Sequence, residues 1–127
     1  MAGVTYDTGA LVAAERNHRA MWALHAGFLA EEVAPTVPAP VLAEAWRGGG
    51  RQASLSRLLA MCEIEAMSQD QARSVGVLAG KAAHDDIVDV TVVEGAARRG
   101  DAIVTSNDAH IRTITEAAGA RLHIEHI

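Results

Sequence analysis

The stretch HDDIVDVTVVEGAARRGDAIVTSND, residues 84–108, decides the fold because its hydrophobic pattern changes once along its length. Its first part carries apolar residues at helical spacing, and Gly100 ends that part. The run DAIVTS then has the pattern of a buried strand, and the polar residues that follow it indicate a turn. A helix that leads directly into such a strand is typical of a parallel α/β sheet.

The same alternation of strands and helices extends over the whole chain. Strands are predicted at 3–7, 33–38, 63–68, 101–106 and 121–127, and helices at 10–32 with a break near Asn17, 39–48, 51–62, 69–83, 85–100 and 108–119. The sequence contains no internal repeat and no low-complexity linker. We therefore expect one domain over residues 1–127, with a central, mostly parallel sheet of about five short strands flanked by helices in three layers.

Composition limits the class of protein. The chain has 127 residues, of which 50% are hydrophobic, so it can bury a core. No apolar run approaches the roughly 20 residues of a membrane span, and the N-terminus lacks the pattern of a secretory signal. The single Cys62 cannot form an internal disulfide, which suits a buried thiol in a cytoplasmic protein. The net charge of −5 should repel nucleic acid unless bound cations reverse the local sign.

Polar side chains that can bind metal follow several predicted strands. Asp7 ends the first strand, Glu44 lies in the helix after the second, and Asn107 and Asp108 follow the fourth. Sites in open parallel sheets lie beyond the carboxyl ends of the strands, so these side chains could converge. Each also has a structural interpretation, as a helix cap or, for Glu44, as the ion-pair partner of a nearby arginine.

The segment HDDIVD contains three aspartates that the helical phase separates. Asp86 is placed to cap the helix, and Asp89 lies on the apolar stripe that should face the sheet. Asp85 is expected in solvent. Like charges that converge need a neutralising cation, and oxygen ligands favour Mg²⁺ or Mn²⁺. The six histidines are spread along the chain, and their spacing predicts no zinc site.

Several of these segments together resemble a PIN domain of the VapC-type ribonuclease toxins. The resemblance covers essentially the full chain and rests on YDTGAL, LAEAW and DIVDVTVVEGAARRGDAIVTSND. It implies a Mg²⁺-dependent endoribonuclease that cleaves RNA, commonly forms a homodimer and is silenced by a cognate antitoxin. It also implies that Asp7, Glu44 and Asp89 are the metal-binding carboxylates.

The chain departs from the family pattern at two positions. Gly9 stands where the family usually has a serine, and the fourth acidic position is filled here by Asn107 or by its neighbour Asp108. Arg47 and Arg51, on either side of three glycines, are the candidate RNA-binding residues.

Two alternatives remain open on the sequence. One is a receiver-like signalling module with a Mg²⁺ pocket, and the other is a catalytically inactive PIN-like binding module. Trp46 is expected in the core rather than on an RNA base.

Overall fold

A computed structural model describes residues 3–127 and contains a five-stranded sheet. The strands are β1 (Val4–Tyr6), β2 (Thr36–Pro38), β3 (Glu63–Glu65), β4 (Ala102–Thr105) and β5 (Ile124–His126). Their spatial order is β3-β2-β1-β4-β5, and every neighbouring pair is parallel. The predicted parallel sheet of about five short strands is confirmed.

Seven helices flank the sheet in the part of the chain that the structure describes. They are α1 (Thr8–Glu15), α2 (Arg19–Ala30), α3 (Ala39–Ala45), α4 (Ala53–Leu59), α5 (Gln69–Ala82), α6 (Ile87–Arg99) and α7 (Asp108–Ala117), with a short 3-10 turn at Gly50–Gln52. Helix α1 contacts α2, α3 and α4, whereas α5, α6 and α7 contact one another. Right-handed crossovers place these two groups on opposite faces of the sheet, which gives the three layers expected from the sequence.

The ends of the helices follow local sequence rules. The break near Asn17 is present, and Asn17 itself has a left-handed conformation with φ of 57°. Ser68 caps α5 by accepting from the backbone N–H of Gln71, and Gly100 ends α6 with φ of 73°. These features confirm the predicted starts and stops, because a cap or a left-handed residue acts within one turn.

The strand order excludes one of the alternatives. Strands β1, β2 and β3 extend the sheet in one direction, and β4 and β5 extend it in the other. Flavodoxin-like sheets, the group to which signalling receivers belong, have the order 2-1-3-4-5. The receiver-like interpretation is therefore wrong on topology. The reversal of strand order falls between β1 and β4, which is where ligands bind in such sheets.

The core lies between the sheet and both helical layers. Helix α6 packs on the sheet through Val90, Val93 and Ala96, all fully buried, as the apolar stripe predicts. Trp46 is 41% exposed at the end of α3, so its expected core position is wrong. Cys62 is half-buried, with its thiol donating to the carbonyl of Leu58. None of the helices in the described residues has the length and apolarity that a membrane crossing requires.

A buried polar pair in the core makes stability depend on pH. The Tyr6 hydroxyl lies 2.9 Å from Nδ1 of His25, and the two residues are 0% and 3% exposed. Burial lowers the pKa of His25 in the folded protein. As the pH falls, His25 is therefore protonated in the unfolded chain, near pH 6.5, before it is protonated in the folded one. The free energy of unfolding is therefore unaffected by protonation of His25 above about pH 6.5, and it decreases as the pH falls from there toward the folded-state pKa.

We therefore expect His25→Gln, which keeps an acceptor for Tyr6, to lose less free energy of unfolding between about pH 7.5 and pH 5 than the wild type does. Urea denaturation of both proteins at the two pH values measures this difference. Equal losses in the two proteins would show that His25 is not the group responsible.

Candidate active site

Asp7 lies at the reversal of strand order, directly after β1. It is 3% exposed and caps α1, with its Oδ1 accepting from the backbone N–H of Ala10 at 2.9 Å. The side chain of Thr105, at the end of the neighbouring β4, favours the charged form of the same carboxylate and so lowers its pKa. The cap interpretation of Asp7 is thus correct. The cap engages one carboxylate oxygen, Oδ1, and leaves the negative charge at the carboxyl edge of the sheet.

Glu44 reaches the same edge from α3. It is exposed, and its Oε1 accepts from the hydroxyl of Thr8 at 2.5 Å. The alternative of an ion pair with Arg47 finds no support here, since the Arg47 guanidinium donates to the backbone carbonyls of Ala43 and Trp46. Thr8 therefore ties Glu44 to the residue that follows Asp7.

The three aspartates of HDDIVD have three different surroundings. Asp86 caps α6 and accepts from the backbone N–H groups of Val88 and Asp89 at 3.1 and 3.2 Å. The Asp89 side chain is half-buried, at 18% exposure, and Asp85 is exposed. The helical phase therefore predicted the division of the cluster correctly.

The carboxylates interact electrostatically. The pKa of Asp89 is raised to about 6, mainly by burial and also by the negative charges of Asp86 and Asp7, against the opposite effect of His84 and His110. Burial is also the main cause of the raised pKa of Asp7, to which the charge of Glu44 contributes. Asp7 is thus electrostatically coupled to Glu44 on one side and to Asp89 on the other. Carboxylate oxygens of this kind suit a hard divalent cation.

The two candidates for the fourth position point in different directions. The Asn107 amide nitrogen lies 3.2 Å from Nδ1 of His110, whose ring is beside Asp89. The Asp108 carboxylate instead lies 3.4 Å from Nε of Arg112 and 3.2 Å from Nδ1 of His126 on β5. Asn107 is thus the one directed toward the acidic group.

The glycine at position 9 has a steric cause. A Cβ built at Gly9 would lie 2.0 Å from the Oγ of Ser106 and 3.1 Å from its Cβ. Ser106 follows β4 and occupies the space that a side chain at position 9 would need. A cleft of about 340 Å³ opens here, lined in part by Thr8, Gly9, Ser106 and Arg16. Ser106 therefore explains why position 9 has no side chain. Arg16, which also lines this cleft, did not stand out in the sequence.

This packing predicts a stability difference between two helical glycines. Gly9→Ala should lower the free energy of unfolding by about 1 kcal/mol, because the methyl group meets Ser106. Gly27 lies at an exposed position of α2, where an added Cβ would meet no atom within 4 Å. Gly27→Ala should therefore raise the free energy of unfolding by about 0.5–1 kcal/mol. Chemical denaturation measures both. Ser106→Gly should recover most of the loss in the Gly9→Ala background, and a lack of recovery contradicts the steric explanation.

The arginines suggested for RNA binding lie on a loop that one buried side chain holds. The side chain of Gln52, 6% exposed, accepts from the backbone N–H groups of Arg47 and Gly48 and donates to Glu15 and to the carbonyl of Ala45. Arg47 and Arg51 line a separate cleft of about 410 Å³ with the three glycines. The loop is therefore anchored at its base, which the glycine run does not indicate.

Two histidines join the acidic group from distant parts of the sequence. His84, Asp89 and His110 each place a ligand atom within 4.8 Å of the other two. The spacing of the histidines did not predict this cluster. The available signal was indirect: His84 begins HDDIVD, and His110 lies one helical turn after Asn107.

The parallel sheet, its strand order and the helices on both of its faces define an α/β protein with a PIN-like fold. The crystal structure of VapBC2 from Rickettsia felis bound to a DNA fragment from their promoter contains a chain with this fold. The TM-score is 0.73 over 97% of this chain and 97% of that chain, at 19% sequence identity. No family model and no curated protein matches the sequence. The likeness therefore concerns the fold.

Proposed function

We propose that this protein is a Mg²⁺-dependent endoribonuclease and the toxin of a toxin–antitoxin pair. The observation that carries the proposal is the nearly buried Asp7 at the point where strand order reverses, electrostatically coupled to both Glu44 and Asp89. A protein gains nothing in stability from placing like charges together at a half-buried edge, so their convergence points to a bound cation.

The side chains have separate tasks in this proposal. Asp7, Glu44 and Asp89 would hold Mg²⁺, with Mn²⁺ as a substitute, and the ion would supply an activated water and neutralise charge on a phosphodiester. Thr105 and the N–H of Ala10 fix the Asp7 carboxylate, and Thr8 fixes that of Glu44. Two carboxylate ligands are thereby oriented before any ion arrives, which lowers the cost of binding it.

The fourth position is Asn107 in this proposal rather than Asp108, since Asp108 is engaged by Arg112 and His126. An amide contributes an oxygen or an N–H but no charge, so the site carries three carboxylates and not four. Asn107 can orient a water or a phosphate oxygen next to Asp89.

The RNA backbone needs cations near the site, because the chain carries a net charge of −5. Arg16, in the cleft beside Thr8 and Ser106, is the best-placed side chain for a phosphate next to the scissile one. Arg47 and Arg51 would contact RNA further away. Arg guanidinium groups suit this task because they bind phosphate oxygens in pairs.

The partners are also part of the proposal. The related structure holds a VapBC2 assembly on promoter DNA, and we propose by analogy that a cognate antitoxin binds this chain in the cytoplasm. A homodimer is a further expectation, which sedimentation of the purified chain tests.

RNA cleavage with and without Mg²⁺ tests the activity. The purified chain should cleave single-stranded RNA in millimolar Mg²⁺, cleavage should stop with a chelator, and added Mg²⁺ should restore it. Arg16→Gln should weaken RNA binding at low salt and reduce its salt dependence. A chain that binds RNA but never cleaves it, with any divalent ion, would instead support the inactive PIN-like binding module.

A further inference from the structure

A cluster of nitrogen ligands lies beside the carboxylates and has no task in the proposed hydrolysis. His84 lies between α5 and α6, Asp89 lies in the first turn of α6, and His110 lies in the first turn of α7. The His110 Nδ1 is 3.9 Å from the Asp89 Oδ2, and the two imidazole rings meet edge to face with centroids 5.3 Å apart. One loop and the starts of two helices thus bring two imidazoles and one carboxylate together, with ligand atoms within 4.8 Å of one another.

The chemistry of this triad differs from that of the carboxylate group. Mg²⁺ prefers oxygen ligands, whereas imidazole nitrogen is preferred by zinc and its neighbours in the transition series. Two histidines and one carboxylate make a known donor set for Zn²⁺ that leaves a coordination position open. We infer that His84, Asp89 and His110 form a second metal site, selective for a divalent ion of the zinc class.

The geometry allows the triad to close on an ion. Ligand atoms about 2.0–2.1 Å from Zn²⁺ lie roughly 3.3 Å apart in a tetrahedral site, and here they lie within 4.8 Å of one another. The His110 side chain is 59% exposed, and a change of its rotamer would cost the 3.2 Å hydrogen bond between its Nδ1 and the Asn107 amide nitrogen. His84 would give up only a 3.3 Å hydrogen bond that its Nδ1 accepts from the backbone N–H of Asp86. Closure therefore needs side-chain movement rather than a change of fold.

The two sites share one ligand. Asp89 belongs to both the carboxylate group and the histidine triad. Zn²⁺ held by the triad draws on the carboxylate that Mg²⁺ would use, so it should inhibit Mg²⁺-dependent cleavage. This consequence rests on the proposed function, whereas binding of Zn²⁺ does not.

Titration of metal-free protein with Zn²⁺ alone, in the absence of RNA, tests the site. The wild type should bind one Zn²⁺ per chain, and His84→Ala and His110→Ala should each bind it at least tenfold more weakly. His123→Ala is the matched control, since His123 immediately precedes β5, has a side chain that is 71% exposed, and pairs with Glu125. It should bind as the wild type does. Thermal melting confirms folding of each variant, and His84→Gln replaces His84→Ala if the latter melts early.

Either histidine variant binding Zn²⁺ as tightly as the wild type overturns the site, and so does an equal loss in His123→Ala. A wild type that binds no Zn²⁺ overturns it as well. An RNA assay with Zn²⁺ added to Mg²⁺ follows, in which inhibition should be relieved in His110→Ala. Zn²⁺ binding without any RNA cleavage would leave the metal site standing and remove only the nuclease.

Discussion

Asp89→Asn should abolish Mg²⁺-dependent RNA cleavage and at the same time stabilise the metal-free protein. Loss of a ligand that supports several kcal/mol of transition-state stabilisation lowers the cleavage rate at least about a hundredfold. The gain in stability has the opposite origin. Burial and the charges of Asp86 and Asp7 raise the pKa of Asp89 to about 6, so its ionised form costs free energy in the folded state. Removal of the charge should raise the free energy of unfolding by roughly 1–3 kcal/mol near pH 7.5.

The pH dependence of that gain follows from the direction of the shift. A carboxyl whose pKa is raised on folding destabilises the folded state above that pKa, here about 6. The penalty disappears as the pH falls below the unfolded value near 3.9, because the group is then protonated in both states. The advantage of Asp89→Asn over the wild type should therefore be full near pH 7.5 and almost gone near pH 4. Urea denaturation in chelator measures it.

Asp85→Asn is the matched control, because it makes the same chemical change four residues away on an exposed side chain. It should leave both the rate of cleavage and the stability close to the wild type. Mg²⁺ should raise the melting temperature of the wild type and of Asp85→Asn but not that of Asp89→Asn. Full cleavage by Asp89→Asn, or a loss of stability in the metal-free protein, would remove Asp89 from the site.

A metal site and a stable core make opposite demands on the same residues. Ion-free stability favours apolar or neutral side chains at half-buried positions, as on the rest of the inner face of α6. Asp7 and Asp89 depart from that preference together. Asp89→Asn is thus expected to trade function for stability, a pattern that a purely structural cap or ion pair does not produce.

The sequence predicts those features of the site that depend on interactions between residues close together along the chain. The cap role of Asp86, the break at Asn17 and the inward direction of Asp89 depend on neighbours within one or two turns, and each was predicted. The partner of Glu44 and the meeting of His84 with His110 depend on how strands and helices far apart in sequence are placed side by side. The spacing of apolar residues predicts the type of each element, but it does not predict which distant side chains will meet.

Asp108 illustrates the same limit. Its spacing after β4 made it equal to Asn107 as a ligand, and it is engaged instead by Arg112 on its own helix and by His126 on β5, whose position the sequence does not predict. Gly95 is a second case, because the guanidinium of Arg99, one turn further along α6, is held by Glu65 and Thr5, which are distant in sequence. A Cβ there would lie 2.9 Å from a guanidinium nitrogen of Arg99, so the glycine makes room for that side chain.

Arg99→Met should be among the most destabilising substitutions in the chain, lowering the free energy of unfolding by about 3 kcal/mol. The guanidinium lies across the start of β4, with Nε 2.9 Å from Asp101, Nη1 2.7 Å from Glu65 and Nη2 2.9 Å from the Thr5 hydroxyl. Asp101 is 5% exposed, and among the side chains of residues 3–127 its remaining hydrogen-bond partner without Arg99 is the hydroxyl of Thr5 at 2.8 Å. A buried carboxylate that loses its cation typically costs this much.

Arg98→Met is the matched control because Arg98 is the preceding residue and shares Glu65 as a partner. Its side chain is 46% exposed and also pairs with Glu94 at i,i+4, so its loss should cost under about 1 kcal/mol. Denaturation midpoints at equal slope compare the two variants. Asp101→Asn should restore part of the loss in the Arg99→Met background, since it removes the charge left without a partner. Equal costs for the two arginines would contradict the prediction. They would mean that water replaces Arg99 as the partner of Asp101, although Thr5 and Asp101 are both buried.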